Sequence, residues 1–123
     1  MNPVTLAFIG DAVFSLYVRV RIAEEADYKP GVATEIANSC VNAVSQSAML
    51  EKITPILTES EADVVRRGKN SHVPQKAKTA GMMEYKRATA LEALLGWLYL
   101  RGEHDRLNEI CGECVRDFLD KKK

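Results

Sequence analysis

The chain has 123 residues, 46% of them hydrophobic, which is enough for one compact core and too little for two domains of ordinary size. Its 17 acidic and 17 basic residues give a formal net charge of zero, so no global basicity indicates a nucleic-acid-binding protein. Three cysteines, an odd number, argue against a disulfide framework and suit a reducing compartment. We therefore expect a single cytoplasmic domain over residues 1–123.

The apolar periodicity predicts helices throughout the chain. They are expected at about residues 3–25, 32–42, 45–56, 58–68, 83–100 and 103–119. Asn2 and Pro3 are typical of a helix start, and Thr58 with Glu61 matches a capping box. No alternating pattern of strand length occurs. The predicted fold class is all-α.

Membrane association is not expected from this sequence. The N-terminus lacks a basic region followed by a signal-type apolar core, and Asp11 interrupts the only long apolar run there. The other apolar run, residues 88–100, is too short to span a bilayer.

Two apolar stretches each contain one acidic residue. Residues 6–17 read LAFIGDAVFSLY around Asp11, and residues 88–100 read ATALEALLGWLYL around Glu92. Such apolarity predicts helices buried on most of their circumference, where an unpaired carboxylate is costly. Each acid is therefore expected to be protonated, paired with a cation or bound to a metal.

Small residues flank both acids at helical spacing, leaving room for an ion, its water molecules and a substrate phosphate. Magnesium favours such a site, because it takes few carboxylates and keeps several waters. It would polarise a phosphodiester and activate a water nucleophile. Pairing of both acids with Arg or Lys from neighbouring helices explains the same spacing, so both interpretations stay open at this point.

Charge is concentrated between residues 66 and 87. Seven bases and one acid give this segment a net charge of +6, while the rest of the chain carries −6. The segment includes a polar stretch over residues 69–81 without apolar periodicity, and long loops in small domains are often functional. It predicts a polyanion site, and the alternative is a solvated charged loop.

Cys111 and Cys114 form a C-x-x-C spacing. The remaining Cys and His residues offer no second matching pair for zinc, and a thioredoxin-like context is absent. Both cysteines follow the apolar periodicity of the last helix, so we interpret them as core thiols.

The two acidic stretches carry a family resemblance. LAFIGDAVFSLYVR resembles the signature segment of the ribonuclease III endonuclease domain, and ATALEALLGWLYL resembles the second acidic motif of that family. RRGKNS at residues 66–71 is similar to a stretch of the Mini-ribonuclease III branch. The resemblance covers essentially the whole chain. It implies the helical bundle of the endonuclease domain, without a double-stranded-RNA-binding domain.

The resemblance implies roles for individual residues. Asp11 and Glu92 fall on the catalytic metal ligands, with Mg²⁺ as the cofactor and Mn²⁺ as a substitute. Ala7 and Thr89 stand where full-length relatives carry further carboxylates, so we expect one ion clearly bound and phosphate oxygens completing any second site. Phe8 falls near the aromatic residue of the family's dimer interface, which implies a homodimer that cuts one RNA strand with each active site.

A-form RNA is recognised mainly by shape, through its phosphates and 2′-hydroxyls. Basic and amide side chains of the charged segment suit that task, with an affinity that falls steeply with salt. The predicted RNA contacts are Arg67, Lys69, Asn70, Lys76 and Lys78.

The predicted function is a magnesium-dependent endoribonuclease that hydrolyses double-stranded RNA. The resemblance implies 5′-phosphate and 3′-hydroxyl products with a short 3′ overhang. It also implies precursor ribosomal RNA (the 23S precursor) as substrate, with a ribosomal protein on that substrate as a further partner. The alternative is a non-catalytic dimeric RNA-binding or adaptor module whose metal site is degenerate. A plain helical interaction protein explains neither acid.

Overall fold

The computed structural model describes residues 1–71 and 81–120, and the secondary structure in these ranges is helical without a strand. The helices are α1 (Pro3–Glu25), α2 (Pro30–Cys40), α3 (Ala43–Ile53), α4 (Glu59–Lys69), α5 (Met82–Leu100) and α6 (His104–Asp120). A short 3-10 turn, Thr54–Ile56, follows α3. The predicted all-α fold is confirmed.

Side-chain caps begin two helices where the sequence predicts them. The Asn2 side chain accepts a hydrogen bond from the backbone N–H of Val4 (2.7 Å) at the start of α1. At the start of α4, the Thr58 hydroxyl accepts from the Glu61 N–H (3.2 Å), and the Glu61 carboxylate accepts from the Thr58 N–H (2.9 Å). The capping box is confirmed.

Helices α2 and α3 each begin two residues before the predicted start, and they end two and three residues before the predicted ends. Helix α2 begins at Pro30 rather than residue 32, because proline has a helical φ and needs no hydrogen bond in the first turn. Helix α3 begins at Ala43 rather than residue 45, because the Asn42 side chain caps it by accepting from the Ser45 N–H (2.9 Å).

Helix α5 lies at the centre of the bundle and packs against α1, α3, α4 and α6. Its leucines Leu91, Leu94, Leu95 and Leu98 are fully buried. A helix surrounded in this way is apolar on every face, which explains why residues 88–100 contain so few polar side chains.

Helix α1 lies at the edge of the bundle and is only partly covered. One face is buried, including Phe14, Val18 and Ile22 in the main core. By length and composition α1 could cross a membrane, yet this face packs inside the bundle. The opposite face exposes Phe8 and Leu16. The prediction that α1 is buried on most of its circumference is therefore wrong.

A buried ion pair joins α4 to α6. The Arg106 guanidinium donates two hydrogen bonds to the Glu61 carboxylate (2.7 and 2.8 Å) and one to the Ile56 carbonyl (2.7 Å). Arg106 lowers the pKa of Glu61, which is only 3% exposed. Because both Glu61 oxygens are paired, the buried charge is compensated.

Cys111 and Cys114 lie in the core, as the sequence predicts. Burial raises the pKa of both thiols, so they stay protonated.

Candidate metal centre

The centre is built where α1 crosses α5 at two glycines. A Cβ atom on Gly10 would overlap the backbone carbonyl of Glu92, and one on Gly96 would overlap the carbonyl of Leu6. Only glycine permits this backbone approach, so the small residues around the acids serve helix crossing first. The crossing brings Asp11, next to Gly10, alongside Glu92 of α5.

The carboxyl groups of Asp11 and Glu92 lie close enough to interact with one another. Burial, followed by the hydrogen bond and charge of Asp11, raises the pKa of Glu92 from 4.5 to about 8. Glu92 is half-buried, whereas Asp11 is exposed. At neutral pH the Glu92 carboxyl therefore keeps its proton, and its O–H can donate a hydrogen bond to the Asp11 carboxylate.

Two expectations for the acids are settled by this geometry. Asp11 was expected to be buried, and this is wrong, because the residue is exposed at the edge of the crossing of α1 and α5. The alternative pairing with bases from neighbouring helices is not observed. Within residues 1–71 and 81–120, neither Asp11 nor Glu92 has a lysine or arginine within ion-pair distance.

A third polar side chain, Gln46 of α3, joins the acid pair. Its Nε2 donates to the Oε2 of Glu92 at 3.3 Å. We did not select Gln46 from the sequence. The signal was available, since Gln46 shares a helix face with the buried Met49, Leu50 and Ile53, where an amide is unusual.

Several known proteins are similar to this chain in sequence and in fold. Residues 4–103 match the Ribonuclease III domain family. The chain is 42% identical over 109 residues to Mini-ribonuclease 3 of Brevibacillus brevis, covering 89% of this chain and 81% of that protein. It is 40% identical over 121 residues to Mini-ribonuclease 3 of Symbiobacterium thermophilum, covering 98% and 92%. The chain belongs to the Mini-ribonuclease 3 branch of the ribonuclease III family.

A solved structure agrees with this membership. A protein from Fusobacterium nucleatum, solved by X-ray crystallography, is 34% identical and superposes with a TM-score of 0.80, covering 89% of this chain and 88% of that one. The predicted family is confirmed, and membership in it makes the chain a ribonuclease.

The side chains at the crossing of α1 and α5 fit a hard divalent cation. Two carboxyl groups lie together, one of them exposed, and a bound cation would favour the ionised form of both. In the described part of the chain, no third Asp, Glu, His or Cys joins them in a metal-ligating group. This is the carboxylate-poor arrangement that Ala7 and Thr89 predict. Mg²⁺ or Mn²⁺ suits such a site, because water and phosphate oxygens fill the remaining positions.

The raised pKa of Glu92 predicts a pH-dependent stability for the metal-free protein. Between about pH 4.5 and pH 8 the folded chain keeps a proton on Glu92 that the unfolded chain has lost. The free energy of unfolding therefore falls as the pH rises through this window. Glu92→Gln should remove this fall and stabilise the metal-free protein at pH 9 by on the order of 2 kcal/mol.

Urea unfolding in EDTA from pH 5 to pH 9 measures this effect. Glu51→Gln is the matched control, because Glu51 is an exposed acid on α3. Its curve should parallel the wild type. A Glu92→Gln curve that also parallels the wild type would contradict the raised pKa.

Two of the predicted RNA contacts, Arg67 and Asn70, line a part of the surface that the acid pair does not share. Arg67 and Asn70 line a groove of about 380 Å³ at the N-terminal end of α1, which neither Asp11 nor Glu92 lines. Arg67 is exposed and also pairs with Asp63 (3.4 Å). Lys69 is exposed at the end of α4. Lys76 and Lys78 lie outside the described residues, so their predicted role stays a prediction.

Proposed function

We propose that the chain is a divalent-metal-dependent endoribonuclease that hydrolyses double-stranded RNA, with Asp11 and Glu92 as the metal ligands. The observation that carries this proposal is the close crossing of α1 and α5, which brings two carboxyl groups together without a basic partner among the described residues. Membership in the ribonuclease III family supports the ribonuclease part of the proposal.

Each acid has a distinct part in this proposal. Asp11 is exposed, so its carboxylate reaches solvent and a bound phosphodiester. Glu92 is half-buried and held by Gln46, so it forms the fixed wall of the site. Mg²⁺ or Mn²⁺ held by both would polarise the phosphodiester and acidify the attacking water. Hydrolysis of the O3′–P bond by that water leaves 5′-phosphate and 3′-hydroxyl ends.

The exposed face of α1 supports a homodimer. Val4, Phe8, Leu16 and Val20 follow one row of positions spaced by multiples of four along the helix and are 46%, 81%, 64% and 46% exposed. An apolar stripe of this length on a small protein is typical of a protein interface. Asp11 lies beside the stripe, so a two-fold dimer through it would place both acid pairs near the interface, one for each RNA strand.

Phe8→Lys should convert the dimer into a folded monomer. The Phe8 side chain is 81% exposed in a single chain, so a lysine there should cost the monomer little stability. In a dimer through this face the lysine charge would be buried, which is costly. Light scattering at several concentrations measures the mass. Leu100→Lys, at an exposed position on α5, is the control and should stay dimeric. A dimeric Phe8→Lys variant, or a monomeric wild type, would contradict this prediction.

The groove beside Arg67 and Asn70 supports RNA binding through the backbone of the duplex. It combines the guanidinium groups of Arg66 and Arg67 with amide and hydroxyl groups, which suits phosphate and 2′-hydroxyl contacts. With Lys69 it supplies few positive charges per chain, so affinity depends on dimerisation and falls with salt. Precursor ribosomal RNA, in particular the 23S precursor with a bound ribosomal protein, is the proposed natural substrate.

The test uses a long RNA duplex and a single strand of the same sequence. Wild-type protein should cut the duplex with added Mg²⁺ or Mn²⁺, stop on addition of EDTA, and leave ends that carry a 5′-phosphate. Duplex binding without cutting at any metal concentration would overturn the enzyme proposal and favour the adaptor module.

A further inference from the structure

Gln46 is a buried amide whose hydrogen bonding is directed at the candidate metal centre. It is 3% exposed, and its Nε2 donates to Glu92 Oε2 at 3.3 Å. Among residues 1–71 and 81–120, this is the only hydrogen bond of its side chain. Burying an amide is costly without such a partner. Glu92 therefore accounts for an amide on the apolar face of α3.

The backbone that carries Gln46 is held by its own hydrogen bonds. The N–H of Gln46 donates to the carbonyl of Asn42 (2.9 Å), whose side chain caps α3. The Ser45 hydroxyl donates to the carbonyl of Ser39 (2.7 Å), which ties the first turn of α3 to the end of α2. The next turns are anchored by Met49 and Leu50 in the core. The backbone of Gln46 is therefore held in a fixed position.

An amide at this place has a chemical consequence that an apolar side chain lacks. Its nitrogen donates and cannot accept, so it orients one carboxylate oxygen without adding charge. The Gln46 oxygen has no hydrogen-bond partner among the described residues and keeps contact with solvent, because none of their fully buried side-chain oxygens lacks a partner. It is thus open to a water molecule.

We propose that Gln46 is a positioning residue, which holds one oxygen of Glu92 so that the carboxylate stays beside Asp11 in the geometry that binds the divalent metal. This inference rests on the proposed function, since it requires the two acids to be metal ligands. Groups that orient a ligand in this way typically change metal affinity or activity by roughly 10- to 100-fold when they are replaced.

The test replaces the amide of Gln46 by an apolar group and keeps the volume of the side chain. In Gln46→Met the dissociation constant for Mn²⁺, measured with the metal alone by electron paramagnetic resonance, should rise by about 10-fold or more. The Mg²⁺ concentration for half-maximal cleavage should rise in parallel, while the KM for duplex RNA at saturating Mg²⁺ stays unchanged. Ser47→Ala is the control, because Ser47 is similarly buried (5% exposed) and makes no hydrogen bond to Asp11 or Glu92.

A second variant protects the test against a folding defect. Gln46→Asn keeps an amide on a side chain one methylene shorter, which draws the donor away from Glu92, and it should weaken Mn²⁺ binding in the same direction. Wild-type Mn²⁺ affinity in either folded variant overturns the inference. If Asp11→Asn also binds Mn²⁺ like the wild type, the proposed function fails with it. If Asp11→Asn loses Mn²⁺ and both Gln46 variants keep it, only the role of Gln46 fails.

Discussion

Gly10→Ala should destabilise the protein by about 3 kcal/mol or more. The added methyl group would overlap the Glu92 carbonyl of α5, and a backbone atom of a central helix cannot move aside as a flexible side chain does. Overpacking in a close-packed core usually costs about 1–3 kcal/mol, and a clash between two backbones lies at the upper end. The intrinsic preference of helices for alanine, about 1 kcal/mol, offsets only part of this cost.

Urea unfolding of Gly10→Ala and Gly31→Ala measures this effect. Gly31 also lies in a helix, but a Cβ atom there meets nothing within 4 Å, so its replacement should be neutral or stabilising. In any folded fraction of Gly10→Ala, the two helices must separate and carry Asp11 away from Glu92, so Mn²⁺ affinity should fall as well. Equal stability of the two variants would show that α1 and α5 do not cross this closely.

The helices and their caps could be predicted because they depend on local sequence. Asn2, Thr58 and Glu61 act within one turn, and the apolar periodicity places each helix to within about three residues. The resemblance pointed to Asp11 and Glu92, which are 81 positions apart in the chain. Their contact depends on two glycines at a helix crossing, which no local pattern reports.

The exposure of Asp11 could not be predicted, because apolar residues on α1 have two different causes. Phe14 and Val18 are apolar because the core covers them, whereas Phe8 and Leu16 stay exposed in the single chain. Sequence periodicity counts all four alike and therefore predicts a helix buried on most sides. Gln46 was missed for a related reason, since its partner Glu92 lies on another helix and its own surroundings are apolar.

Asp11→Asn should lower the rate of duplex cleavage by roughly a thousandfold or more at saturating RNA. The substitution keeps the shape of the side chain and removes the negative charge that holds the metal. Metal stabilisation of a phosphoryl transition state is worth several kcal/mol, which corresponds to about this factor. Folding should not suffer, because Asp11 is exposed and its charge opposes ionisation of Glu92. Metal-free Asp11→Asn should therefore be at least as stable as the wild type.

Asp105→Asn makes the same chemical change at an exposed site in the first turn of α6 and should cut like the wild type. The double variant Asp11→Asn with Glu92→Gln gives the sharper result. If both carboxylates hold one metal, the first substitution already removes most of its contribution, so the second should add far less than its own single effect. If the rate losses of the two single variants multiply in the double variant, the two acids act independently. Near-normal cleavage by Asp11→Asn would exclude Asp11 as a metal ligand.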